Sequence, residues 1–355
     1  MALGSSSATP ADGLSARVLV VRDLNDLNAR SGELAGNIVL FDEHFDQRLA
    51  DNGDAPDAYG QAVLYRNSGP SRAAALGAVA ALVRSVGGAD FRLPHTGVTV
   101  WKEQQAAIPA AALTAEDADL VARLATAGPV RLKLLRTAQT LPDADSFNVI
   151  ADWPGREKPG EHVIVSGHLD SWDLGTGASD DGVGVMAAAV IAVLKQLDLH
   201  PRRTIRFIGW SNEENGGLGN QAYYESVRTA IGMRVAAIES DSGAGRALGV
   251  NAAVATKSLA VLQPVLDALA PIGASALVRH DDELGSDIGP LQSAGVPRFS
   301  PLVDQRHYFD YHHTAADPLD KVDPQNLNSQ VATIAVLAYF LAEMPEPLTR
   351  FKASE

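Results

Sequence analysis

The stretch His162-Val-Ile-Val-Ser166-Gly-His-Leu-Asp170 decides how this chain is read. Its first half is a short β-branched run, the form of a strand buried on both faces. Its second half turns polar at once, with His168 and Asp170 just past the strand. The same grammar recurs on either side. Strands are expected at 148–152, 203–210, 235–239 and 298–303. Helices are expected at 182–197, 219–227, 257–269 and 326–343, the first of these almost wholly apolar. Buried strands alternating with helices are the sequence form of a layered α/β sheet.

Upstream the text is similar but carries no concentration of reactive side chains. Strands are expected at 17–21, 36–41, 108–113 and 130–135. The Ala- and Leu-rich stretch 71–86 reads as a helix, and Thr114 opens another, with Asp117 three residues on. The polar stretch 138–147, which holds Pro142, reads as a linker. Two domains are therefore expected, 1–137 and 138–355.

Bulk properties narrow the function. The chain has 355 residues, enough for two domains. Its net charge of −14 excludes a nucleic-acid partner, which needs a basic face, and disfavours anionic membranes. No segment reaches the roughly 18–20 apolar residues of a membrane span. The opening Met1-Ala-Leu-Gly-Ser-Ser-Ser is neither a basic nor an apolar leader region, so no signal peptide is expected. There is no cysteine. Any zinc must then be held by His, Asp and Glu, a set more typical of catalytic than of structural zinc.

In open α/β sheets, sites gather beyond the carboxyl ends of the strands. Here that edge collects Gly167-His168-Leu169-Asp170, Asp180-Asp181-Gly182, Ser211-Asn212-Glu213-Glu214, Glu239-Ser240-Asp241 and His312-His313-Thr314. Each alone has an ordinary explanation. A lone His after a strand is commonly structural, an Asp at a helix start is commonly a cap, and Glu-Glu is commonly a solvated face. Five on one edge point instead to a shared metal site. Residues i and i+2 of an extended segment point the same way. The Asp170 carboxylate is therefore expected to hold the second ring nitrogen of His168 and so orient it.

With these stretches in place the chain resembles the M28 zinc exopeptidases. The resemblance rests on Ser166-Gly-His-Leu-Asp-Ser-Trp-Asp173, Gly177-Ala-Ser-Asp-Asp-Gly182, Trp210-Ser-Asn-Glu-Glu214, Glu239-Ser-Asp241, Gly285-Ser-Asp-Ile288, Ala294-Gly-Val-Pro297 and His312-His-Thr314. Pro94-His-Thr-Gly97 carries it into the first half. It implies a three-layer mixed-sheet catalytic domain of the phosphorylase/hydrolase-like type, and a smaller protease-associated α/β domain inserted as a lid. It also implies two Zn²⁺ per chain: His168 and Asp241 on one, Glu214 and His313 on the other, Asp180 bridging. Glu213 would be the general base that takes a proton from metal-activated water. The charges agree, four positive from two zinc ions against three ligand carboxylates. A cis Asp180–Asp181 peptide is implied as well. His312 stands where simpler aminopeptidases of the family carry a Tyr that helps bind the oxyanion. His312, Ser286 and Asp287 are the expected substrate contacts.

The expected activity is hydrolysis of dipeptides or short peptides, whether as aminopeptidase, dipeptidase or carboxypeptidase. The resemblance further implies a homodimer and a secreted or periplasmic location. It implies an N-terminal segment ahead of the inserted domain, whereas this chain starts almost directly at the insert. Two alternatives share the fold: a non-catalytic receptor-like binding protein, and a single-zinc glutaminyl cyclase relative. The full ligand set and base disfavour both.

Overall fold

The computed structural model describes residues 1–88, 91–281 and 284–351. The chain forms two units, Met1–Ala144 with Gln305–Ala316, and Asp145–Asp304 with Asp317–Glu355. The division expected at 137/138 therefore falls at 144/145. The segment carrying His312 and His313 joins the first unit, where Tyr308 and Phe309 are buried with Ala50 and Ala55, and Phe309 stacks on Tyr59 at 4.4 Å.

The first unit holds a five-stranded mixed sheet. Its strands are β1 (Leu14–Val21), β2 (Ile38–Phe41), β3 (Ala80–Arg84), β4 (Ala110–Leu113) and β5 (Arg131–Leu134), in the order β4-β3-β2-β1-β5. β1 to β4 run parallel and β5 antiparallel. The Thr114 hydroxyl accepts from the Asp117 amide and caps the helix Ala115–Ala127, as its spacing suggested. The helix expected at 71–86 is wrong in its second half. Helix Gly69–Ala75 stops before Gly77, which takes φ +86°, and Ala80–Arg84 is a strand buried at every residue. Alanine favours helix locally, but a position between two parallel strands overrides that preference.

The second unit holds seven strands: β6 (Val149–Trp153), β7 (Lys158–His168), β8 (Arg203–Trp210), β9 (Arg234–Glu239), β10 (Ala247–Ala253), β11 (Ala276–Arg279) and β12 (Arg298–Val303). Their order is β11-β10-β12-β9-β7-β8-β6. The middle four, β12, β9, β7 and β8, are mutually parallel, so their carboxyl ends share one edge. Val163 and Val165 of β7 pack with Val190, Leu194, Ile334 and Leu337, from the helices Ala189–Gln196 and Pro324–Glu343. Ile164 faces the other way, toward Trp210, Tyr223, Val227 and Leu291. Helices on both faces make this a three-layer α/β/α unit.

The chain just before Ala189 approaches β7 closely enough to demand glycine. A Cβ at Gly184 would lie 1.8 Å from the Ser240 carbonyl oxygen, and one at Gly167 would lie 2.3 Å from Gly184. Among the described residues no helix is long and apolar enough to cross a membrane. Ile164 is fully buried. Ile164→Ala should therefore cost about 2–5 kcal/mol, read as a lower urea midpoint for the second unit by Trp fluorescence.

Candidate metal centre

Short loops leave the carboxyl edge of the second unit's sheet, and their backbone N–H groups are too buried to be hydrated. Acidic side chains take their place as acceptors. Asp181 Oδ2 accepts from the His168 amide and its Oδ1 from the Gly184 amide, both at 2.9 Å. Asp317 accepts from the amides of Ser179 (2.8 Å) and Asp180 (3.1 Å). Asp170 accepts from the amides of Glu213 (3.1 Å) and Glu214 (3.2 Å). Glu239 accepts from the amides of Asp287 (3.3 Å) and Ile288 (2.8 Å), and from the Ser286 hydroxyl (3.2 Å).

This corrects the role expected of Asp170. The group on the second ring nitrogen of His168 is the Asp170 carbonyl oxygen, 2.8 Å from Nδ1. The Asp170 carboxylate is occupied with the Glu213–Glu214 backbone instead. The chain turns between the two residues, so i and i+2 do not share a face. The carbonyl still fixes the tautomer, since Nδ1 must donate to it and Nε2 keeps its lone pair.

That lone pair points at carboxylates. His168 Nε2 lies 3.2 Å from Asp180 Oδ1 and 3.8 Å from Asp241 Oδ1, and one ligand atom from each of the three falls within 4.8 Å of the others. Two ligands on one tetrahedral ion at zinc bond lengths stand about 3.3–3.5 Å apart, so the spacing suits a shared cation. The electrostatics agree. Burial pushes the His168 pKa down, but Asp180 and Asp241 beside it more than reverse this and raise it. The position calls for positive charge, and one nitrogen with carboxylate oxygens is a zinc-competent donor set. The Asp180–Asp181 peptide is cis. Trp172 Nε1 donates to Glu214 Oε2 at 2.5 Å.

Glu213, Glu239 and Asp287 are acids held against their own ionisation. Burial raises Glu213 to about 7, helped by Asp241, and Glu239 to about 7, again helped by Asp241. Burial with the nearby Glu239 raises Asp287 to about 9. Glu213 and Ser286 border a cavity of about 300 Å³. Asp287 does not line it. Asp287 is buried behind Asn220, whose Nδ2 donates to it at 3.0 Å.

His312 and His313 lie in the first unit, stacked with ring centroids 3.7 Å apart. His313 Nδ1 is 3.2 Å from the Thr96 carbonyl oxygen and 3.3 Å from Arg66 Nη1. With Nδ1 so engaged, Nε2 is the nitrogen suited to a metal. His312 meets Tyr59 and Tyr308 edge-on, each at 5.0 Å. Sequence reading gave Asp181, Asp317 and Glu239 no such gripping role. Glu239 sits beside a named motif and Asp317 three residues after Thr314, but nothing in their spacing marks a backbone acceptor.

The model of Peptidase family M28 matches residues 148–338. Carboxypeptidase Q from Homo sapiens is 37% identical over 352 residues, 99% of this chain and 72% of the relative. The chain belongs to peptidase family M28. A second M28 peptidase precursor, from Shewanella amazonensis, has a solved structure that superposes with a TM-score of 0.90 at 37% identity, covering 98% of this chain and 78% of that one. BSAP, a zinc aminopeptidase from Bacillus subtilis, shares the fold at 19% identity, with a TM-score of 0.66 over 99% of this chain and 81% of its own.

Two outcomes follow for this M28 member. A carboxyl whose pKa is raised on folding favours the fold only while protonated. The metal-free protein should therefore be most stable near pH 4–5, and lose stability as pH climbs through about 7 (Glu213, Glu239) and about 9 (Asp287). Urea midpoints of the stripped protein at pH 5, 7 and 9 check this, and a rising series would contradict it. Asp170→Ala strips the acceptor from two amides that carry Glu213 and Glu214. Zinc affinity should fall about 10–100-fold, measured by competition with a chromophoric chelator.

Proposed function

We propose that this chain is a co-catalytic di-zinc exopeptidase that hydrolyses dipeptides or short peptides. The observation that carries the reading is the convergence of His168, Asp180 and Asp241 on one point, with donor atoms within 4.8 Å. His168 and Asp241 would hold one zinc and Glu214 and His313 the second, with Asp180 shared between them. For His313 the support is the His312-His313-Thr314 motif and its engaged Nδ1. The segment 1–137, which lies within the first unit, is read as the protease-associated domain. Homodimeric assembly and a secreted or periplasmic location are carried over from the family resemblance.

When bound, the two zinc ions supply Lewis acidity, polarising the scissile carbonyl and making water a stronger acid. The protein's own part is orientation and proton handling. Asp170 fixes the backbone of Glu213 and Glu214 together, so base and ligand move as one piece. Glu213 takes the proton of the attacking water and delivers it to the leaving amine. Burial disfavours its charged form, which helps it keep the proton until the amine leaves. Ser286 and His312 contact the substrate.

Elemental analysis should find two zinc ions per chain, and chelation should abolish dipeptide hydrolysis. Glu213→Gln should keep both ions and lower kcat about 10²–10⁴-fold. Unchanged turnover in that variant would sink Glu213 as the base, and no turnover by the zinc-loaded wild type would favour a receptor-like binding role. Ammonia release from an N-terminal Gln peptide without hydrolysis would point to the cyclase alternative.

A further inference from the structure

His313 is clasped by the segment 94–97 of the same unit. The Thr96 amide donates to the His313 carbonyl oxygen at 2.9 Å, and the Thr96 carbonyl oxygen lies 3.2 Å from His313 Nδ1. The clasp has a demanding task, because His313 takes φ +57°. A residue other than glycine stays in that left-handed region only where its neighbours fix it. Behind the clasp stands Arg66, from the helix Ala55–Asn67. Arg66 is 5% exposed, and its Nη1 donates to the same Thr96 carbonyl at 2.9 Å. The backbone is shaped around this guanidinium. A Cβ at Gly97 would lie 2.3 Å from Arg66 Cζ, so only glycine leaves room there. Tyr59 flanks it, with the ring centre 5.8 Å from Cζ.

Two donors thus meet one oxygen, which has two lone pairs to offer them. His313 Nδ1 also lies 3.3 Å from Arg66 Nη1. A guanidinium can only donate, so a bond between those two requires the ring proton on Nε2. Nη1 is closer to the carbonyl than to the ring, and Nδ1 is closer to the carbonyl than to Nη1. Both distances favour the carbonyl as the shared acceptor. An Nδ1 proton directed at it leaves the Nε2 lone pair for a metal. We infer that Arg66 is a positioning residue for His313: it holds the Thr96 carbonyl where that oxygen accepts from Nδ1, and so fixes the ligating tautomer and the aim of the ring. The inference rests on the di-zinc reading and adds to it a residue that acts through a ligand. Partners placed one bond behind a ligand set metal affinity.

Competition with a chromophoric chelator should give two zinc dissociation constants for the full chain. His313→Ala should raise one of them and thereby mark it. Arg66→Met should raise the same constant about 10–100-fold and leave the other within about threefold. In the His313→Ala background, Arg66→Met should change zinc binding no further, since its effect passes through that ring. Both constants weakened alike, the same loss with and without His313, or no loss where His313→Ala shows one, each overturns the inference alone. A second measurement needs no Arg66 variant. In the metal-free, ¹⁵N-histidine-labelled chain at alkaline pH, the ring signal that His313→Ala removes should belong to a proton on Nδ1. A proton on Nε2 makes Arg66 the direct donor to the ring and overturns the inference as well. A wild type without two zinc constants, or with none that His313→Ala raises, overturns the di-zinc reading and the inference with it.

Discussion

Carboxylates gripping pairs of backbone amides hold the second unit's edge together. Asp170, Asp181, Asp317 and Glu239 each accept from two N–H groups. A buried amide with no acceptor costs about 1–3 kcal/mol, whereas a bond to a charged acceptor contributes about 1.5–3 kcal/mol. The loops at this edge have few residues to spare for turns that would pair their own amides. Four acidic side chains therefore do for these loops what a ladder does for a strand. The arrangement is economical in sequence, since most of the gripping acids lie within a few residues of the ligands they serve.

The same choice loads the edge with negative charge. Acids that grip stand beside acids that ligate, and the cost appears in raised pKa values at Glu213, Glu239 and Asp287. Without cations the cluster keeps protons it would otherwise release. With cations the ligand carboxylates become an asset. The surplus lies in acids behind the candidate ligands, Glu239 and Asp287, which burial holds toward the protonated form.

Much of this could be read from the chain before any coordinates. β-branched runs at 162–166 and 203–210 announced buried parallel strands, and the polar residues just after them marked the candidate edge. The strand signals are local, and the strands form there. The failures were not local. The Ala-rich stretch 71–86 has helical composition throughout, and only its place between β2 and β4 makes 80–84 a strand. β10 carries glycine and alanine where a strand signal would be β-branched, β11 is only four residues long, and both passed unnoticed. The spacing of His168 and Asp170 suggested a side-chain contact, but a turn substituted the carbonyl for the carboxylate. Asp317 was invisible because its partners lie more than 130 residues away in sequence.

The division of the chain at 144/145 and again at 304/305 and 316/317 has a consequence for ancestry and engineering. Neither unit is one continuous piece of polypeptide. A single crossover between genes at the first boundary would transfer the front of one unit without its last twelve residues, the ones that hold His312 and His313. Recombination and modular grafting therefore have to move both stretches together. The two units should diversify as a linked pair, not as interchangeable modules.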